Sequence, residues 1–163
     1  MSIAAHIRDT LELPTMIVNA YLGDLTDDDL FIRPAENMNH IAWQLGHLIA
    51  GEKFHIEQLV PGSMPALPDG FREQHSAATF ATDDRAGFRT KQEYLRLMQE
   101  QREGTLAVLD SMSDARLQAD SPETLRYFGP TVGSVFSGEA THWMMHAGQW
   151  AVVRRMLGRP PLF

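Results

Sequence analysis

Apolar residues return every three or four positions in four long stretches of this chain, the period of an α-helix that turns one face to a core. The first stretch, Ile3 to Leu22, holds Pro14 in its interior. A proline there removes an amide donor and crowds the preceding turn, so a bent or broken helix is expected. Thr26 followed by Asp27, Asp28 and Asp29 has the form of an N-cap with an acidic first turn, which predicts a short helix stopping before Pro34. From Asn39, the run HIAWQLGHLIAGEKFHIEQL reads as a long inner helix, apolar on more than one side and closed by Pro61 and Gly62. Thr90 and Glu93 form a capping box before a third long helix, where Tyr94, Leu97, Met98, Leu106 and Leu109 keep the period and Gly104 weakens it slightly. The fourth runs from about Thr131 to Leu157, ended by Gly158 and Pro160.

Between the second and third helices, residues 61–89 carry prolines and glycines with no sustained period. An excursion of that length in a small protein is more often functional or a partner surface than idle. No alternating run of β-branched residues bounded by turns occurs, so the pattern predicts an all-α, four-helix bundle with long connections. At 163 residues this fits a single domain.

Composition narrows the function. Hydrophobic residues make up 44% and charged residues 21%, as in ordinary soluble proteins. No apolar run approaches a membrane span, and Met1 to Thr10 lacks the basic start and apolar centre of a secretory signal, so a cytoplasmic protein with no membrane partner is expected. The chain has no cysteine, which leaves His, Asp and Glu to hold any metal and requires any reacting thiol to come with the substrate. Its formal charge of −7, from 21 acidic and 14 basic residues, disfavours a nucleic-acid partner. Arg154, Arg155 and Arg159 gather at the end of the last helix, where cations complement its dipole.

The chemistry concentrates on histidine. His142 and His146, in THWMMHAGQW, stand one helical turn apart on one face, at a spacing suited to a divalent metal. At about 100° per residue, Glu139 lies about 60° and Gln149 about 20° from His142, so this helix turns several polar groups inward. His47, inside the apolar run IAWQLGHLIA, is a third candidate ligand. With His40, Gln44, Gly51 and His55 it falls in a sector of about 80°, a stripe able to line one cavity between apolar walls. Buried histidines more often bond a carbonyl or carboxylate than a metal, so spacing alone leaves both readings open. The motif is not HExxH, because Trp143 follows the first histidine, and a metalloprotease base is missing there. Glu139 could orient His142, accept a proton, become a fourth ligand or pair with Arg126. His6 and His75 are expected to face solvent, and His40, near a helix start, could serve as a cap.

The segments RPAENMNHIAWQLGHLIAGEKF and THWMMHAGQWAVVRRMLGRPP resemble the DinB-like superfamily. The resemblance implies a four-helix bundle whose three histidines hold a divalent metal, and these match His47, His142 and His146. Zinc or nickel is expected first, with iron or manganese as alternatives. Ala147, Trp143 and Met145 depart from the commonest pattern and bear on the substrate rather than on the triad. Characterised relatives imply a metal-dependent transferase using a low-molecular-weight thiol such as bacillithiol or mycothiol, acting on a small molecule. In that reading Glu139 is the catalytic group, while Gln149, His40 and Gln44 line the cofactor cavity. Two alternatives stand beside it: a metal-dependent hydrolase with Glu139 or His40 as base, and a stress-related bundle that binds a metal or small ligand without turnover. Relatives also imply a homodimer, whose interface Met144, Ala151 and Trp150 could extend.

Overall fold

The computed structural model describes residues 2–163, and every regular element among them is a helix. The first, α1 (Ile3–Gly23), is capped by Ser2, whose hydroxyl accepts from the Ala5 N–H. It runs without a break through Pro14. Of the bent or broken helix expected there, the break is absent, because Ile7, Leu11, Pro14, Val18 and Leu22 form one buried stripe along its length. Packing of that face outweighs a single missing hydrogen bond. After α1, Thr26 and Asp29 bond each other reciprocally, Thr26 N–H to the Asp29 carboxylate at 2.8 Å and Asp29 N–H to Thr26 Oγ1 at 3.2 Å. The helix they begin is a single 3-10 turn, Asp29–Phe31.

Helix α2 (Ile41–Leu59) begins at His40, and α3 (Phe71–Gln74) is a short turn within the excursion. Helix α4 (Lys91–Asp110) starts with the Thr90–Glu93 capping box, and α5 (Asp114–Gln118) and a 3-10 turn, Glu123–Leu125, lie in the second connection. The last helix, α6 (Val132–Met156), is the longest. Each long helix packs on two others in a closed ring: α1 on α6, α6 on α2, α2 on α4 and α4 on α1. At the centre, the buried Glu52 carboxylate accepts from Arg102 (3.1 Å), Thr105 (2.7 Å) and Trp143 (2.8 Å), joining α2, α4 and α6. Among the described residues, no helix is long and apolar enough to cross a membrane.

The excursion is tied down at several points. Arg33 donates to the carbonyls of Met38, Phe80 and Thr82 and pairs with Asp83. Trp43 Nε1–H reaches Ser76 O and Thr79 Oγ1, and Phe71 sits in the core. His75 is not solvent-facing as its sequence context suggests: it is 3% exposed, held between Phe71 O and the Tyr94 hydroxyl, each at 2.7 Å. Its ring lies where a side chain at Gly46 would be, since a Cβ there would sit 2.0 Å from His75 Cδ2.

Two side chains of α6 lie deeper than their sequence context suggests. Trp150 is completely buried, its indole N–H bonded to Gln44, so it takes no part in an outer surface. Met144 and Ala151 are half-buried. Arg154 is also buried and does more than complement a dipole: it donates to the Asp24 carboxylate, Tyr21 O and Pro160 O, clamping the end of α1 to the C-terminal tail.

Candidate metal centre

Helices α2 and α6 bring His47, His142 and His146 together. One ring nitrogen from each lies within 4.8 Å of the others, and the ring centroids are 5.2–5.6 Å apart. Trp43 stacks on the His47 ring at 5.0 Å, fixing its plane from the side of the excursion.

The orientation of His146 follows from a chain of amides. Gln44 Nε2–H donates to Asn39 O at 2.6 Å and to Gln149 Oε1 at 3.0 Å, so its Oε1 faces the other way. That oxygen accepts from Trp150 Nε1–H at 2.8 Å and from His146 Nδ1–H at 3.1 Å. An imidazole whose Nδ1 carries the proton has its lone pair on Nε2, the state a metal ligand needs. Gln44 and Gln149 thus stand behind the histidines rather than on the cavity wall. His142 Nδ1 is buried with no hydrogen-bond partner.

All three imidazoles are held neutral. Burial, with the nearby rings of His47, His146 and His55, pushes His142 down to about 3. Burial and His47 push His146 down to about 4, and burial with His55 lowers His47. Neutral rings converging on one point, one of them with an orphaned buried nitrogen, form a donor set that fits a borderline divalent ion such as zinc or nickel.

His47 and His142 open on a cavity of about 610 Å³, whose wall also includes Gly51, His55, Tyr127, Phe128, Thr141 and Met145. Thr141, next to His142 on α6, is part of that wall. A smaller recess of about 240 Å³ adjoins across His47 and Gly51, lined by Phe54, Arg72, His75 and Ser76. The Arg72 guanidinium lies 4.9 Å over the Phe54 ring.

Glu139 does not orient His142 and does not pair with Arg126. Fully buried, it binds His55 Nδ1 through Oε1 at 2.6 Å, while Oε2 has no partner. Burial raises its carboxyl above the usual range, an effect the His55 hydrogen bond only partly opposes. His55 Nε2 meets the Tyr127 hydroxyl at 2.9 Å, and Phe128 packs against the His55 ring. Phe128 fits so closely against α6 that a Cβ on Gly138 would sit 2.1 Å from its Cδ1. His40 takes the capping role expected of its place at a helix start and not the cavity-lining or basic one: its Nδ1 caps α2 by accepting from the Trp43 N–H at 3.0 Å, and its ring packs with Phe31 and Phe88. Tyr127, Phe128 and Arg72 were not singled out by sequence, because each lies in a connection where no periodicity marks an inward side. The pair of aromatics in RYFGP was the only local signal.

Residues 10–150 match the DinB superfamily. No curated protein matches the chain. Among solved structures, the crystal structure of a conserved protein from Enterococcus faecalis aligns with a TM-score of 0.71, covering 98% of this chain and 99% of that one at 18% identity. That likeness extends to the fold.

Proposed function

This chain belongs to the DinB superfamily, and from that premise we propose that it is a metal-dependent transferase that uses a low-molecular-weight thiol to modify a small electrophile. The observation that carries the reading is the convergence of three neutral imidazoles, two of which, His47 and His142, line a largely apolar cavity. His47, His142 and His146 would hold the ion, with zinc or nickel the expected metal. A divalent ion held there supplies a Lewis acid that favours the ionised form of a thiol.

The protein's own groups provide the rest. Phe128, Met145 and Gly51 give the electrophile an apolar surface from which water is displaced. Tyr127 and Thr141 put hydroxyls on that wall, and Arg72 with Ser76 lines the adjoining recess, where an anionic part of the thiol would find a cation. Hydroxyls beside the histidines and a cation next door support thiol transfer over hydrolysis, which calls for a carboxylate open to water; Glu139 is buried behind His55.

Elemental analysis of protein purified without a metal-affinity tag tests the reading, run beside the His47→Ala/His146→Ala double variant. Near-stoichiometric metal in the parent, lost in the variant, is expected, followed by metal-dependent consumption of thiol against monobromobimane. Metal-free parent protein after anaerobic reloading would overturn it.

A further inference from the structure

Two carboxylates are completely buried in this bundle, and they are treated differently. Glu52 receives three donors, the arrangement of a structural ion pair. Glu139 receives one, through one oxygen, and leaves the other oxygen orphaned. A buried acceptor left half-satisfied costs stability and needs an explanation beyond packing. The explanation lies in what its single donor connects to. His55 bridges Glu139 to the hydroxyl of Tyr127, a residue 67% exposed that could satisfy that hydroxyl with water alone. The three side chains therefore form a continuous hydrogen-bonded chain from the bundle interior to the cavity wall beside His142.

We propose that Glu139, His55 and Tyr127 are a proton relay for this cavity, with the Tyr127 hydroxyl as the catalytic residue that takes the proton from the bound thiol and His55 and Glu139 as the positioning residues behind it. The inference rests on the thiol-transfer reading above. The relay starts from the state that the His55 hydrogen bond favours, with Glu139 ionised and accepting from His55 Nδ1–H, and the Tyr127 O–H donating to His55 Nε2, which leaves a tyrosine lone pair free to take a proton. As the thiol S–H bond breaks, its proton bonds to the Tyr127 oxygen, the tyrosine proton passes to Nε2, and the Nδ1 proton passes to Glu139 Oε1. The thiol has then lost one proton and Glu139 has gained one. The thiolate electron pair forms the sulfur–carbon bond to the electrophile, and the electrophile's leaving group departs with its bonding pair. The proton stored on Glu139 returns along the same chain to a basic leaving group or, where the leaving group is a halide such as bromide, to water. Burial makes Glu139 more basic than an exposed carboxylate, which suits it to end such a chain.

The test has one readout that needs no metal and one that does. In metal-free protein labelled with ¹⁵N-histidine, the His55 Nδ1–H proton should appear as a downfield, slowly exchanging resonance. It should move upfield in Glu139→Gln, and the His55 Nε2 signal should shift in Tyr127→Phe while those of His40 and His75 stay in place. Absence of these signals overturns the relay whatever the activity. In metal-loaded protein with monobromobimane, Tyr127→Phe should lower kcat about 100-fold with 2-mercaptoethanol, with KM and metal content unchanged. With 2-nitro-5-thiobenzoate, a thiol already ionised at neutral pH, the loss should shrink to less than about threefold, because no proton remains to be taken. An active parent whose Tyr127→Phe variant is impaired equally with both thiols overturns the relay and leaves the transferase reading standing. A metal-loaded parent that consumes neither thiol overturns both.

Discussion

Replacing Gly46 with alanine adds one methyl group in the middle of α2, where a helix would ordinarily gain from it. Here the new carbon would lie 2.0, 2.2 and 2.3 Å from three atoms of the His75 ring, so the imidazole has to move. A displaced ring cannot keep both its bonds, to Phe71 O and to the Tyr94 hydroxyl. Each buried partner left unpaired costs about 1–3 kcal/mol, and alanine's helix preference over glycine returns about 1 kcal/mol. The net loss is about 3 kcal/mol, which lowers the melting temperature by roughly 6–12 °C in a protein of this size. The same change in a His75→Ala background should cost less than about 1 kcal/mol, because the space is then vacant. A thermal-denaturation double-mutant cycle reads the difference. If the two substitutions add instead of compensating, His75 is not what makes position 46 intolerant of a side chain, and the account of how the excursion seats on α2 is wrong.

Gln44→Leu leaves His146 Nδ1 and Trp150 Nε1 without their acceptor, so metal affinity in chelator competition should fall about 10- to 100-fold while all three ligands remain. Glu52→Gln strands the buried Arg102 guanidinium and should cost about 3–5 kcal/mol by urea unfolding, whereas Glu57→Gln, at the partly exposed pair with Lys53, should cost under about 1 kcal/mol. His40 and His75 are held by burial at about 4, against 6.5 for an unperturbed histidine. Between those values the unfolded chain binds protons that the folded protein refuses, so stability of the metal-free protein should fall as pH drops from 6.5 to about 4. His75 should contribute up to about 1.4 kcal/mol per pH unit, and His75→Gln should flatten the slope in that window.

The four long helices were legible because each buries a stripe at a fixed period and each has a cap written beside it. Thr90 with Glu93, and Thr131 before Val132, start helices where the sequence places them. Pro14 does not break α1, because the rule for proline is local, while the continuity of α1 is decided by the stripe it lays against α6. His47, His142 and His146 could be nominated because two lie a turn apart and the third interrupts an apolar run. That they converge is a property of two helices brought together from far apart in the chain. The uses of Glu139 and His75 were not legible, since each is decided by a partner on another element. Helical angle told that Glu139 points inward; it could not tell that His55, from α2, stands between it and the cavity. Glycine inside α2 was the overlooked sign for His75, marking a ring pressed against the helix backbone.

Helix α6 packs most extensively on α1 and less on α2, yet it is across the thinner α2–α6 seam that the three histidines meet. An ion shared there would be a crosslink between position 47 and positions 142 and 146, closing a loop that takes in the excursion, α4 and the second connection. In a chain without cysteine, that is a clasp fastened by metal supply and opened by chelation instead of by reduction. The same three rings that would serve chemistry would then also report, through the tightness of the seam, whether the protein had been loaded.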